Sequence, residues 1–215
     1  MGRDEALGLI DECFLNGAFE ADLARRVAVR TESNLEGRED ALQSYLDDEM
    51  TPFLSSMGFA CTIHPNPRSD AGPILVARRQ EGDGLPTVMT YGHGDVVAGY
   101  DGQWVDDIDP WRITKNGHRW YGRGTADNKG QHTINLAALK TVLDVRGKLG
   151  FNIIVLIEMG EERGSPGLKD FCARNKQLFD ADVFIASDGP RIHPDTPTMF
   201  MAVSYTHLRA HETSL

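Results

Sequence analysis

Cysteine is scarce in this chain, which has only 3 in 215 residues, at Cys13, Cys61 and Cys172. The odd number, the wide spacing and the lack of any Cys-x-x-Cys pair exclude a disulfide framework and a thiolate metal site. They fit reduced, mostly buried thiols of an intracellular protein. Long apolar runs are missing as well, since no stretch approaches the roughly 20 residues that a membrane span needs. The opening Met1-Gly2-Arg3-Asp4-Glu5 is not followed by an apolar core and a small-residue cleavage site, so no secretory signal is visible. Ala6 breaks the myristoylation pattern. Basic charge is in deficit, 22 Lys and Arg against 32 Asp and Glu for a net charge of -10, which argues against nucleic acid and anionic membrane as partners. There is no internal repeat and no low-complexity tract. The expectation is a soluble cytoplasmic protein, with enough length and hydrophobic residues (40%) for one sizeable α/β domain or part of a larger protein.

What the chain does have is an alternation of helical and strand patterns. Leu7 to Leu15 and Phe19 to Val29 carry helical apolar spacing. Arg38 to Met57 repeats Leu42, Leu46, Met50, Phe53 and Met57 at three- and four-residue intervals and stops at Gly58. Strands are expected at Phe59 to Ile63, Ile74 to Arg79, Thr87 to Tyr91, Phe151 to Ile157 and Asp182 to Ala186. A hairpin over Trp111 to Tyr121 is expected to turn at Asn116-Gly117. Gly130 to Val145 and Leu168 to Gln177 read as helices. Thr87 to Tyr91, Phe151 to Ile157 and Val183 to Ala186 read as buried strands. The pattern predicts an open, mostly parallel α/β sheet with helices on both faces and ligands at the strand carboxyl ends.

Those ends are where charge collects: Gly92-His93-Gly94-Asp95, Asp127-Asn128-Lys129-Gly130, Glu158, Glu161-Glu162 and Ser187-Asp188-Gly189. An unpaired buried carboxylate is expensive, so acids in such places call for a use. One imidazole and several carboxylates together suit a divalent cation. Each patch alone has a plainer reading. His93-Gly94-Asp95 can be a capped turn, but its spacing also lets Asp95 accept the imidazole N–H and orient His93, with Gly92 and Gly94 leaving room for a metal. Asp127 can be a helix N-cap or can bridge two cations. The Gly122 to Gly130 segment fails the dinucleotide pattern, because Asp127 occupies the third glycine position, and the Walker pattern, because Lys129 precedes Gly130. Glu161-Glu162 can be a solvated acidic loop, or Glu162 can bind metal while Glu161 stays free as base and acid. Asp188 can be a turn residue or a further ligand.

Together and in this order, the patches resemble the di-zinc metallopeptidase family that includes glutamate carboxypeptidase, aminoacylase, succinyl-diaminopimelate desuccinylase and the cytosolic dipeptidases. The likeness is densest from Thr90 to Pro190. It implies that His93 binds one zinc, that Asp95 orients it, and that Asp127 bridges both metals through a cis peptide to Asn128. It further implies that Glu162 binds one metal, that Asp188 binds the other, and that Glu161 is the catalytic base. Asn128 stands where the family often has a second Asp. The cofactor implied is a pair of zinc ions, with cobalt or manganese as substitutes. The reaction implied is hydrolysis of an amide bond in a small peptide or N-acyl amino acid, with an N-acyl amino acid deacylase as the alternative. A non-catalytic metal-binding protein on the same fold is a further alternative, and the free base Glu161 beside Glu162 argues against it.

Family members also carry a lid and dimerisation domain and a last histidine ligand, which no segment of this chain supplies. The expectation is that residues 1–202 are the N-terminal part of the catalytic domain. As a fragment it would be inactive, and the intact parent would form a homodimer through the lid. Val203 to Thr213 resembles one reading frame of a transposase-type sequencing adapter, so residues 203–215 are expected to be a non-native tail. The competing reading there is a metal pair, His207 and His211.

Overall fold

The near-continuous apolar run after Phe151 becomes the centre of the molecule. In the computed structural model, which describes residues 2–189 together with residues 192, 193, 195, 196 and 198, this run is strand β6 (Asn152–Glu158), buried along its whole length. It lies between β2 (Ile74–Arg79) and β3 (Thr87–His93), with β1 (Ala60–His64) outside β2 and β7 (Val183–Ala186) outside β3, in the order β1-β2-β6-β3-β7. β2 is antiparallel to β1 and to β6, while β3 is parallel to β6 and to β7. Hence β1, β6, β3 and β7 all run one way and β2 alone is reversed, which makes the sheet mostly parallel. A central strand flanked on both sides and covered on both faces has no reason to alternate polar residues, which explains its unbroken apolar sequence.

Successive side chains of a strand point to opposite faces, and the helices divide accordingly. On one face lies a helical segment made of α3 (Glu39–Ser44), a π-helical stretch (Tyr45–Met50) and α4 (Thr51–Ser56). It joins α5 (Lys129–Arg146) in packing Leu42, Leu46, Leu54 and Leu136 against Leu75, Val155 and Ile157. On the other face α6 (Leu168–Arg174) sets Phe171 and Leu168 against Ile74, Val76, Ile154 and Leu156. The first two helices, α1 (Arg3–Leu15) and α2 (Ala18–Ala28), pack against α5. The expected hairpin forms as two short strands, β4 (Thr114–Asn116) and β5 (Arg119–Tyr121), with Gly117 at φ 59° in the turn.

Several expectations are corrected. Val183, Phe184 and Ile185 of β7 are 47%, 60% and 49% exposed rather than buried. Among the described residues β7 is an edge strand bonded only to β3, and an apolar run identifies a strand without identifying its neighbours. The helix over Arg38 to Met57 is present, but its middle widens by a π turn at Tyr45–Met50 before Gly58, at φ 78°, follows its end. The three cysteines are free, as expected, but only partly buried. Pro190, the adapter-like run, His207 and His211 lie outside the described residues. No described helix is long and apolar enough to cross a membrane.

Leu156 is 2% exposed at the centre of this arrangement. Replacing it by Ala is expected to lower the unfolding free energy by about 2–5 kcal/mol, measured by urea denaturation. A loss below about 0.5 kcal/mol, the range of ordinary surface changes, would contradict its place in the core.

Candidate metal centre

Because β3, β6 and β7 run parallel, their carboxyl ends open on one edge of the sheet, and the segments that follow them meet there. His93 is the last residue of β3 and lies opposite Glu158 in the ladder. Glu161 and Glu162 form a single 3₁₀ turn after β6, and Asp188 follows β7. Asp127 enters from the side, immediately before α5, and its peptide bond to Asn128 is cis, as the family resemblance implies. It caps nothing: Asn128 holds the N-cap position, and no side chain bonds the helix start.

The predicted residues converge. His93 Nε2 lies 3.0 Å from Asp127 Oδ1, 3.7 Å from Glu161 Oε2 and 3.7 Å from Asp188 Oδ2. Two groups have ligand atoms within 4.8 Å of one another: His93 with Glu161 and Asp188, and His93 with Asp127 and Glu162. Among the described residues no Lys or Arg forms an ion pair with Asp127, Glu161, Glu162 or Asp188. One imidazole facing four carboxylates, with no resident cation, is a donor set that fits divalent metal ions of the zinc or manganese kind. By distance alone Glu161 is as close to His93 as Asp188 is.

Asp95 holds this group together from behind. It is fully buried, and its Oδ2 accepts bonds from Ser33 Oγ at 2.6 Å and from the Glu162 amide at 3.2 Å. Its Oδ1 accepts the Glu161 amide at 3.1 Å and lies 3.3 Å from His93 Nδ1. Nδ1 is slightly closer, at 3.0 Å, to the backbone carbonyl of the same residue. Asp95 thus meets His93 Nδ1 through both its main chain and its side chain. It also fixes the backbone of both glutamates, which the spacing could not reveal.

The charges are tuned by this crowding. Burial pulls the His93 pKa down, but the hydrogen bond and charge of Asp95, with Asp188 and Asp127, outweigh it and raise the value to about 9. Burial raises the Glu161 pKa above the usual carboxylate range; His93 opposes this, while Asp188, Asp95 and Asp127 add to it. Glu162 is raised by burial and by Asp127. A carboxyl whose proton affinity is raised is suited to general base and acid work.

Glu158 and Asn128 stood in the sequence without an assigned role, and Ser165, His132 and Tyr45 escaped the sequence reading. Glu158 is buried and accepts bonds from Tyr91 and from Ser165, each at 2.7 Å, so it secures the loop that carries Glu161 and Glu162. Asn128 Oδ1 accepts the His93 amide at 3.2 Å and sits 3.3 Å from His132 Nδ1. His132 Nε2 in turn meets the Tyr45 hydroxyl at 2.6 Å. The glycines flanking His93 also permit close packing of protein around it. A Cβ at Gly94 would lie 2.5 Å from the Tyr45 ring, and one at Gly92 would lie 3.0 Å from His132 Cβ. The space that a side chain would need at these glycines is taken by Tyr45 and His132. Their signal was present in the Gly-His-Gly pattern, but the partners are distant in sequence.

Below about pH 9 the metal-free imidazole of His93 carries a proton, which an entering cation must displace. Zinc affinity is therefore expected to rise about tenfold per pH unit from about pH 6 to about pH 8, with release of about one proton per ion. Calorimetry in buffers of different ionisation enthalpy checks this, and an affinity flat with pH would contradict it.

Comparison with known proteins identifies relatives of the chain. The chain is 35% identical over 162 residues to the cysteinylglycine-S-conjugate dipeptidase of Corynebacterium striatum, covering 74% of this chain and 33% of the relative. It is 29% identical over 160 residues to the acetylornithine deacetylase of Pectobacterium carotovorum, covering 74% and 36%. Among solved structures, human carnosine dipeptidase 1 superposes with a TM-score of 0.80 at 26% identity, covering 88% of this chain and 42% of that one. The chain thus spans about a third of the length of these curated relatives. Residues 89–203, which carry every residue of the acidic cluster, match peptidase family M20/M25/M40, and the chain belongs to that family.

Proposed function

We propose that the protein to which this chain belongs is a zinc-dependent hydrolase of amide bonds in small peptides. The observation that carries this reading is the convergence of His93 Nε2 with carboxylates of Glu161 and Asp188 at the carboxyl ends of parallel strands and of Asp127 before α5. His93, Asp127, Glu162 and Asp188 would hold a pair of zinc ions, or cobalt or manganese in their place. Bound there, such ions polarise a carbonyl and make water more acidic.

The chain's own residues would do the rest. Glu161 is left as the proton carrier: its carboxylate accepts a proton from water as the water oxygen bonds to the amide carbon. It then returns that proton to the nitrogen as the carbon–nitrogen bond breaks. Its amide, fixed on Asp95 Oδ1 at 3.1 Å, holds the side chain at the mouth of the site. Asp95 orients His93 and stays out of the proton transfer.

Similarity to a dipeptidase over 162 residues favours a dipeptide substrate. Similarity to a deacetylase favours the second reading, an N-acyl amino acid deacylase, which needs the same residues. Both readings share a cytoplasmic setting, which suits three free cysteines, and a dimer formed through a lid domain.

In a full-length version, Glu161→Gln is expected to lower turnover at least 10²–10⁴-fold with metal content unchanged, whereas Asp127→Ala should lower the metal content itself. Elemental analysis alongside dipeptide and N-acyl amino acid assays checks both. Near-normal turnover by the Gln variant would sink the role given to Glu161.

A further inference from the structure

The segment after α2, Thr31-Glu32-Ser33, has no part in the chemistry described above, yet its side chains are all buried. It runs parallel to the residues following His93, with Glu32 bridged to Val96. The Val96 amide bonds to the Thr31 carbonyl at 2.9 Å, and the Ser33 amide to the Val96 carbonyl at 3.3 Å. Each side chain then grips a different point of the 94–99 loop. Thr31 Oγ1 donates to the Gly94 carbonyl at 2.6 Å, Ser33 Oγ donates to Asp95 Oδ2 at 2.6 Å, and Glu32 Oε1 accepts the Gly99 amide at 2.9 Å. The far oxygen of Glu32 lies in ion-pair range of Arg38 at 2.8 Å, without hydrogen-bond geometry.

We propose that Thr31-Glu32-Ser33 is a strap that positions the metal centre, and that Ser33 is its decisive residue because its hydroxyl sets the rotation of the Asp95 carboxylate. The inference deepens the metal-centre reading and rests on it. The geometry explains why the hydroxyl matters. Each oxygen of Asp95 serves two partners: Ser33 and the Glu162 amide on Oδ2, the Glu161 amide and His93 Nδ1 on Oδ1. The Ser33 bond is the shortest of these and the only one from outside the strand-end loops. Without it, Oδ2 keeps a single longer bond, and the carboxylate is free to turn. Its turning would release the Glu161 and Glu162 amides and the imidazole together. Groups standing behind metal ligands act in this way on metal affinity. Ser33 would touch neither metal nor substrate, so it is a positioning residue.

The test uses the 215-residue chain and its Ser33→Ala variant. Zinc affinity is read by competition with a chromophoric chelator, and amide hydrogen exchange is followed by NMR in the metal-free protein. The variant is expected to bind zinc about tenfold more weakly. The Glu161 and Glu162 amides should exchange faster, while those of β6 such as Val155 keep their protection. A variant with wild-type affinity and wild-type exchange would overturn the strap. So would a variant in which β6 amides lose protection in step with Glu161 and Glu162, because the effect would then be general destabilisation. A wild-type chain that takes up no zinc would instead overturn the metal-centre reading on which the strap rests.

Discussion

A buried carboxylate hydrogen-bonded on both oxygens is the constraint on which the rest of this structure depends. Asp95 is removed from solvent and carries a charge that would be costly to bury unpaired. It is tolerated because a hydroxyl, two backbone amides and an imidazole close around it. That satisfaction has a geometric consequence. The partners come from the segment after α2, the end of β3 and the turn after β6, so one side chain ties together three parts of the chain that the sheet alone would leave adjustable. A fully satisfied polar network of this kind fixes one arrangement, and partial satisfaction would cost more than an apolar replacement.

In front of Asp95 the charge balance runs the other way. Asp127, Glu161, Glu162 and Asp188 surround one imidazole, and burial first, with the neighbouring acids adding to it, raises the pKa values of both glutamates. Cationic side chains are near, but they are held on the inner side of the network. Lys129 is buried, donates to the carbonyls of Arg26 and Val29 at 2.9 and 2.7 Å, and is pulled down to about 7 by burial, against the pull of Asp95 and Glu32. Arg26 is buried beside it and reaches Thr133 at 2.6 Å. Neither pairs with the acids of the cluster, so the opening faces solvent as a strongly acidic site and the compensating charge must come from outside. That is the physical basis for assigning the cluster to divalent ions.

Much of this could be read from the chain itself, for a specific reason. In a mostly parallel sheet the carboxyl ends gather at one edge, so a residue just past an apolar run is placed by the run alone. His93, Glu161, Glu162 and Asp188 were legible in that way, and Asp127 by its place before an amphipathic helix. The supporting residues were not. Ser33 meets Asp95 across 62 positions and Tyr45 meets His132 across 87, and no local pattern encodes a partner at that distance. Glu158 was visible as a charge at a strand end, but its role depends on Tyr91 and on Ser165 in the following turn. The exposed edge of β7 was misread for a related reason, since burial belongs to a strand's neighbours and apolarity only to the strand.

The central claim is that the acids at the strand ends form a metal centre built on His93. Zinc-edge anomalous diffraction from zinc-loaded crystals of the chain tests it most directly. The account predicts an anomalous peak about 2.0–2.1 Å from His93 Nε2, with carboxylate oxygens of Asp127 or Asp188 completing its contacts. A peak bound elsewhere, with His93 Nε2 still in contact only with protein, would contradict it.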